Sequence, residues 1–269
     1  MKEPPDIPDY SALDRPEILQ FVFFPRREWT PAPHDARDYL IPVEAGVNIS
    51  ARLYPATNSA ASILYFHGNG EVACDYDWFA SEYNHFGLSL FVTDYRGYGR
   101  GNGEPTINSM IADSLKVFDF FYNNVPRPKE NRLFIMGRSL GSMSVLTIAS
   151  RRANQVAGLI IESGFPAVTR ILSHLGFPGR GSKVTELENA SLALVASISL
   201  PALVIHGDRD TLIPYEEGLL LHKILGSSVK RMVTIPSAGH NDVMLVSKEL
   251  YYEAIKGFIA SVLAQTTTK

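Results

Sequence analysis

A run of apolar residues, Leu133-Phe134-Ile135-Met136, leads directly into Gly137-Arg138-Ser139-Leu140-Gly141 and then into a helix-forming stretch, Ser142 to Arg151. A strand that becomes a helix within five residues must turn sharply. That turn lifts the central serine above the sheet in a strained conformation and leaves no room for side chains two positions to either side. Gly137 and Gly141 meet that demand. The same five residues also fit a glycine-punctuated turn with an incidental serine, because short motifs match by chance. The choice between the two depends on whether a base, an acid and an anion-binding loop occur elsewhere in the chain.

From about residue 38 short β runs alternate with helical segments. Tyr39 to Val43 and Asn48 to Tyr54 flank Glu44-Ala45-Gly46, which predicts a hairpin. Ser62 to Phe66 reads as a strand buried on both faces. The pattern then gives a helix at Asp75 to Phe86, a strand at Leu88 to Thr93, a helix at Ile107 to Asn123 and a strand at Arg132 to Met136. Beyond the turn at Ser139 it predicts strands at Val156 to Ile161, Ala202 to Ile205 and Arg231 to Ile235, with helices at Tyr215 to Leu225 and Val246 to Leu263. This order predicts an α/β fold with a mostly parallel central sheet and helices on both faces.

Two segments stand outside the alternation. Residues 1–37 are proline-rich but hold Phe21-Val22-Phe23-Phe24 and Trp29, more apolar area than a disordered tail needs, and read as an arm packed on the domain of residues 38–269. Residues 166–200 are too long for a simple crossover loop. With Ile171, Leu172, His174, Leu175, Phe177, Pro178-Gly179-Arg180-Gly181 and a helical stretch from Thr185 to Ala196, they read as a small cap over the strand ends.

Composition excludes several functions. A net charge of −3 without a basic cluster gives no electrostatic footprint for nucleic acid. The single cysteine, Cys74, permits no intrachain disulfide and lies in no reactive motif. No stretch has the roughly 18 apolar residues of a membrane span, and Met1 to Pro8 has no signal-peptide core. A cytoplasmic protein is expected, with its oligomeric state left open.

In an open α/β sheet the ligand site lies beyond the carboxyl ends of the strands. After Ser62 to Phe66 come His67-Gly68-Asn69-Gly70-Glu71, whose glycines let backbone N–H groups face a developing negative charge. The N–H groups of Asn69 and Leu140 are the expected oxyanion donors, and His67 is expected to buttress the loop. A phosphate-binding loop is excluded by spacing, since neither Gly-x-Gly-x-x-Gly nor a Walker lysine is present. After Ala202 to Ile205 come His206-Gly207-Asp208-Arg209-Asp210, where Asp210, ahead of Asp208, is chosen to orient a histidine. After Arg231 to Ile235 come Ser237-Ala238-Gly239-His240-Asn241-Asp242, which supply the base, His240. The serine, acid, histidine order of Ser139, Asp210 and His240 is that of a catalytic triad on this type of sheet. No metal or organic cofactor is expected: the histidines form no His-Glu-x-x-His pattern and there is no cysteine cluster.

These motifs, together with Asp94-Tyr95-Arg96-Gly97-Tyr98-Gly99, resemble the α/β-hydrolase superfamily over about residues 38 to 264, and within it the small-cap serine hydrolases that include esterase-like proteins and the depalmitoylating branch. The N-terminal stretch lacks the cysteine-rich leader of the depalmitoylating relatives. The resemblance implies hydrolysis of carboxylic esters or thioesters, and a serine where dehalogenases and epoxide hydrolases of this fold use aspartate disfavours halide and epoxide substrates. Tyr98, Phe165, Leu172, Leu175 and Phe177 are the expected substrate contacts, for an acyl group of small to medium size. A non-catalytic binding protein, an amidase or peptidase, and an acyltransferase to an acceptor other than water are the competing readings of the same residues.

Overall fold

The computed structural model describes residues 4–128, 131–177 and 181–266. Pro178, Gly179 and Arg180 of the expected cap lie outside them. Eight strands form one sheet: β1 (Arg37–Glu44), β2 (Val47–Tyr54), β3 (Ala61–Phe66), β4 (Leu88–Thr93), β5 (Arg132–Arg138), β6 (Gly158–Glu162), β7 (Ala202–Gly207) and β8 (Lys230–Ile235). Their spatial order is β1-β2-β4-β3-β5-β6-β7-β8. The predicted hairpin supplies the antiparallel edge, with Gly46 at φ 76° in its turn, and the strands from β4 to β8 are parallel.

The near-continuous apolar strands divide between two faces by the period of two that a pleated strand imposes. In β3, Leu64 and Phe66 enter one apolar layer while Ile63 and Tyr65 enter the other; in β5, Leu133 and Ile135 part from Phe134 and Met136 in the same way. The first layer is covered by α3 (Ile107–Asn124), α4 (Gly141–Arg151) and α7 (Tyr215–Ile224), the second by α2 (Ala80–His85) and α9 (Lys248–Thr266). Two predicted helices are split. The first opens as a 3-10 turn, Ala73–Trp78, before α2, and the last is preceded by the single turn α8 (Val243–Val246). Strand β6 starts two residues later than expected because the 3-10 turn Ala153–Gln155 is still closing at Val156.

The arm contains a helix that the sequence reading leaves out, α1 (Pro16–Val22), with proline in its first turn, where no N–H is needed. Tyr10, Leu13, Ile18, Val22 and Phe23 are buried in the first layer. Asp14 accepts hydrogen bonds from the N–H groups of Ile107 (2.7 Å) and Asn108 (3.1 Å), so the arm caps the positive end of α3.

Between β6 and β7 lie α5 (Val168–His174) and α6 (Ser182–Ser197). Helix α6 buries Leu187, Leu194 and Val195 in the same layer as α4 and α7, against which it packs. It lies in the crossover between the parallel strands β6 and β7 and packs on the first apolar layer. No helix among the described residues is long and apolar enough to cross a membrane.

Candidate active site

Ser139 adopts φ 50°, in the left-handed region that costs a residue other than glycine about 1–3 kcal/mol. Two hydrogen bonds hold it there: its N–H donates to Glu162 O (2.9 Å), and its carbonyl accepts from Ser142 N–H (3.0 Å). The glycines are required by contact. A Cβ on Gly137 would collide with the Gly141 carbonyl, and one on Gly141 with the Phe66 carbonyl. The end of β3 therefore abuts the turn at Ser139, which brings the loop at residues 67–71 beside the serine.

The three residues chosen from separate strand ends form one hydrogen-bonded chain. Ser139 Oγ lies 2.9 Å from His240 Nε2, and His240 Nδ1 lies 2.7 Å from Asp210 Oδ2. The other oxygen of Asp210 accepts from the N–H groups of Leu212 (3.0 Å) and Ile213 (2.8 Å). Burial opposes the charge on Asp210, but hydrogen bonds from His206 and His240 and the amide of Ile213 outweigh it and hold the carboxyl well below the ordinary range. His206 Nε2 lies 2.9 Å from Ile213 O and 3.3 Å from Asp210 Oδ2, which places a ring hydrogen on Nε2 and gives the carboxylate a second imidazole partner. Asp208, the alternative acid, is used elsewhere: it accepts from Ser237 N–H (2.6 Å) and braces the histidine loop.

Leu140 stands at the N-cap of α4, and neither its N–H nor that of Asn69 donates to another group among the described residues. The Asn69 side chain has a different task, its Oδ1 accepting from Tyr98 OH (2.7 Å) and from Phe24 N–H (2.9 Å) of the arm. Arg26 continues this clamp, donating to Gly70 O (3.0 Å) and to Asp75 (2.7 Å).

Beneath the loop, His67 is fully buried with Nδ1 2.7 Å from Gly68 O and Nε2 3.2 Å from Asp94 Oδ1. Asp94 is an acceptor throughout, taking hydrogen bonds from Ala73 N–H and Ser50 OH as well. Both ring nitrogens of His67 thus face acceptors, and both must carry hydrogen. Burial works against this imidazolium, but the hydrogen bond and charge of Asp94, with Glu71 behind it, raise its pKa above 6.5. Below about pH 6.5 folded and unfolded rings are both protonated and the pair contributes fully; the contribution is lost as pH climbs through the higher folded value. Urea unfolding of wild type and His67→Gln between about pH 6 and pH 9 should show a stability gap that narrows as pH rises. A gap independent of pH would sink the imidazolium assignment.

The five expected substrate contacts separate. Tyr98, Phe165 and Leu172 are buried, all three within the first apolar layer. Leu175 is 45% exposed, and Phe177 meets Phe21 of the arm edge-on at 4.7 Å between ring centroids. Phe21 and Phe24 of the arm, 50% and 57% exposed, extend this apolar surface and were not among the expected contacts. Their signal was the Phe21-Val22-Phe23-Phe24 run, but seven residues of helix are too few to reveal a face. His174 Nε2, 3.2 Å from Thr211 O, ties the end of α5 to the Asp210 loop. The sequence reading also missed the cluster of Arg138 with Glu71 and Glu162; its one signal was a charged residue closing each of the apolar strands β5 and β6. No group of three His, Cys, Asp or Glu among the described residues is arranged to hold a metal ion.

Comparison with known proteins agrees with this architecture. Residues 57–177 match a hydrolase family described as Serine aminopeptidase, S33. The chain is 28% identical to an α/β-hydrolase domain-containing protein, aho-3, of Caenorhabditis elegans, over 95% of this chain and 75% of that one. It is 25% identical to protein bem46 of Schizosaccharomyces pombe, over 75% of this chain and 68% of that one. Among solved structures, the Pyrococcus furiosus esterase Pf2001 superimposes with a TM-score of 0.72 at 17% identity, covering 89% of this chain and 99% of that one. Est1E of Butyrivibrio proteoclasticus, solved with ferulic acid bound, superimposes with a TM-score of 0.67 at 22% identity, covering 84% and 99%. The fold is the α/β-hydrolase fold.

Proposed function

We propose that this α/β-hydrolase-fold protein is a serine hydrolase that cleaves carboxylic esters or thioesters of small to medium acyl groups through an acyl-enzyme on Ser139. The observation that carries the reading is the unbroken chain from Ser139 Oγ through His240 to Asp210, with the serine held at φ 50°. A non-catalytic relative has no use for a strained serine hydrogen-bonded to an imidazole that is itself held by a buried carboxylate.

In the acylation step Ser139 Oγ attacks the carbonyl carbon while its proton passes to His240 Nε2. Asp210 stabilises the imidazolium so formed, and the N–H groups of Leu140 and Asn69 receive the oxyanion. Collapse of the tetrahedral intermediate breaks the carbon–oxygen or carbon–sulfur bond. His240 gives its proton to the leaving group. Water, losing a proton to His240, then attacks the acyl-serine; the second collapse releases the acid and returns the proton to Ser139 Oγ.

The exposed side chains of Leu175, Phe21 and Phe24, with Phe177 against Phe21 and Phe24 N–H bonded to Asn69, offer an apolar surface that suits an uncharged acyl group in this reading. The test is a series of p-nitrophenyl esters from acetyl to dodecanoyl, with a fluorophosphonate probe of the wild-type protein. Rates highest for short to medium chains are expected. A flat profile would count against a size-limited site, and absence of both turnover and labelling would overturn the hydrolase itself.

A further inference from the structure

Arg138 fills the variable position before the nucleophile, where the triad makes no demand on side-chain chemistry. Every arm of its guanidinium is nonetheless engaged. Nε donates to Glu162 Oε1 (3.1 Å) at the end of β6, Nη1 pairs with Glu71 of the loop after β3, and Nη2 donates to the His240 carbonyl (2.9 Å) and Asn241 Oδ1 (3.0 Å) in the loop after β8. One side chain on β5 thus joins the loops that bear the oxyanion donor and the base. Its partners are fixed in turn. Glu71 accepts from Gly68 N–H (2.9 Å) and Tyr76 OH (2.7 Å), and Glu162 accepts from Tyr251 OH (2.6 Å).

We infer that Arg138 is a positioning residue that sets the oxyanion loop and the His240 loop in register with Ser139. Packing does not hold it in place on every side, since a space of about 160 Å³ lined by Tyr65, Tyr76, Tyr83, Met244 and Tyr251 lies beside it. Its orientation is set by directed hydrogen bonds. Those bonds are also what a lysine cannot reproduce: a planar fork reaches two carboxylates and two loop oxygens at once, and a single ammonium does not. A burial cost stands against the guanidinium, but Glu71 and Glu162 outweigh it and keep the charge. The contact to a backbone carbonyl of His240 bears on chemistry, because a carbonyl held at that point fixes the residue whose ring must meet both Ser139 and Asp210.

The inference rests on the proposed hydrolase reading, and one of its measurements does not depend on turnover. Arg138→Lys keeps the charge and is expected to stay folded with a lowered melting temperature, with kcat for a short ester lowered about 10–100-fold and KM nearly unchanged. The low-field proton resonance of His240 Nδ1–H, which reports the bond to Asp210, is expected to shift or broaden in the same variant. Asn241→Ala, at an exposed position, removes one contact of the fork without threatening the core and is expected to lower kcat by a few-fold, again at constant KM. Unchanged kcat and an unchanged resonance in Arg138→Lys would overturn the inference, as would a loss confined to KM or unchanged kinetics in Asn241→Ala. If the wild-type protein neither turns over esters nor binds the probe, the hydrolase reading fails, while the resonance still reports whether Arg138 places His240.

Discussion

Ser139→Ala should lower turnover of short acyl esters by roughly 10⁴- to 10⁶-fold and abolish fluorophosphonate labelling, while the protein remains folded. The loss is large because the hydroxyl is the only group in the chain of Ser139, His240 and Asp210 that can form the covalent intermediate. The backbone needs no rearrangement, since the bonds that hold residue 139 run through its N–H and carbonyl. Its φ of 50° adds a second, independent readout. Alanine pays the same conformational cost as serine there and glycine does not, so Ser139→Gly should be inactive yet more stable than Ser139→Ala by about 1 kcal/mol. Thermal melts of the two variants beside the activity assay check both halves. Labelling that persists in Ser139→Ala would place the nucleophile elsewhere.

Asp210→Asn is expected to lower kcat by about 10⁴-fold at neutral pH with little change in KM. The amide can keep its oxygen on the Leu212 and Ile213 N–H groups, which turns its NH₂ toward His240 Nδ1. The ring then accepts at Nδ1 and carries its hydrogen at Nε2, where it cannot take the serine proton. Geometry is preserved and the tautomer is wrong. The native carboxyl has a second signature. Because its pKa is depressed below 3.8, it contributes stability that is complete above that value and is lost as pH falls through the lower folded value. Wild type should therefore lose stability in acid relative to Asp210→Asn, as acid unfolding followed by circular dichroism would show. Activity near that of wild type in Asp210→Asn would assign the acid role to another group.

The parts of the molecule legible in the sequence are those in which chemistry and backbone make the same demand. Gly137 and Gly141 could be read because a collision forbids anything larger, and β3 to β7 because an apolar run flanked by loops has few alternatives in an α/β chain. Asp210, His240 and Ser139 were chosen because each follows an apolar strand and the three come in triad order, and the structure links them in one hydrogen-bonded chain. Arg138 could not be read: a buried arginine is explained only by Glu71, 67 residues before it, and Glu162, 24 residues after it, and no local pattern announces such a pairing. That Tyr98 and Leu172 are buried in the first layer is likewise set by packing that no local pattern reveals. Helix α6 fell within the stretch of 166–200 read as a cap for its length, and only its packing on α4 and α7 shows it lying along the sheet's crossover.

The arm has a consequence for the order in which the protein assembles. Phe24 bonds to Asn69, Tyr10 N–H to Asn108 and Tyr10 OH to Ser191, partners that follow it in the chain by 45, 98 and 181 residues. During synthesis from the amino end, the strap is made long before anything it can grip. The prolines of the segment resist premature strand pairing in the meantime. The arm is therefore gripped in stages, by partners near residues 70 and 108 first and by Ser191 of α6 later. The clamp on the loop beside Ser139 needs nothing beyond Asp75, whereas the bond of Tyr10 to Ser191 must wait for α6.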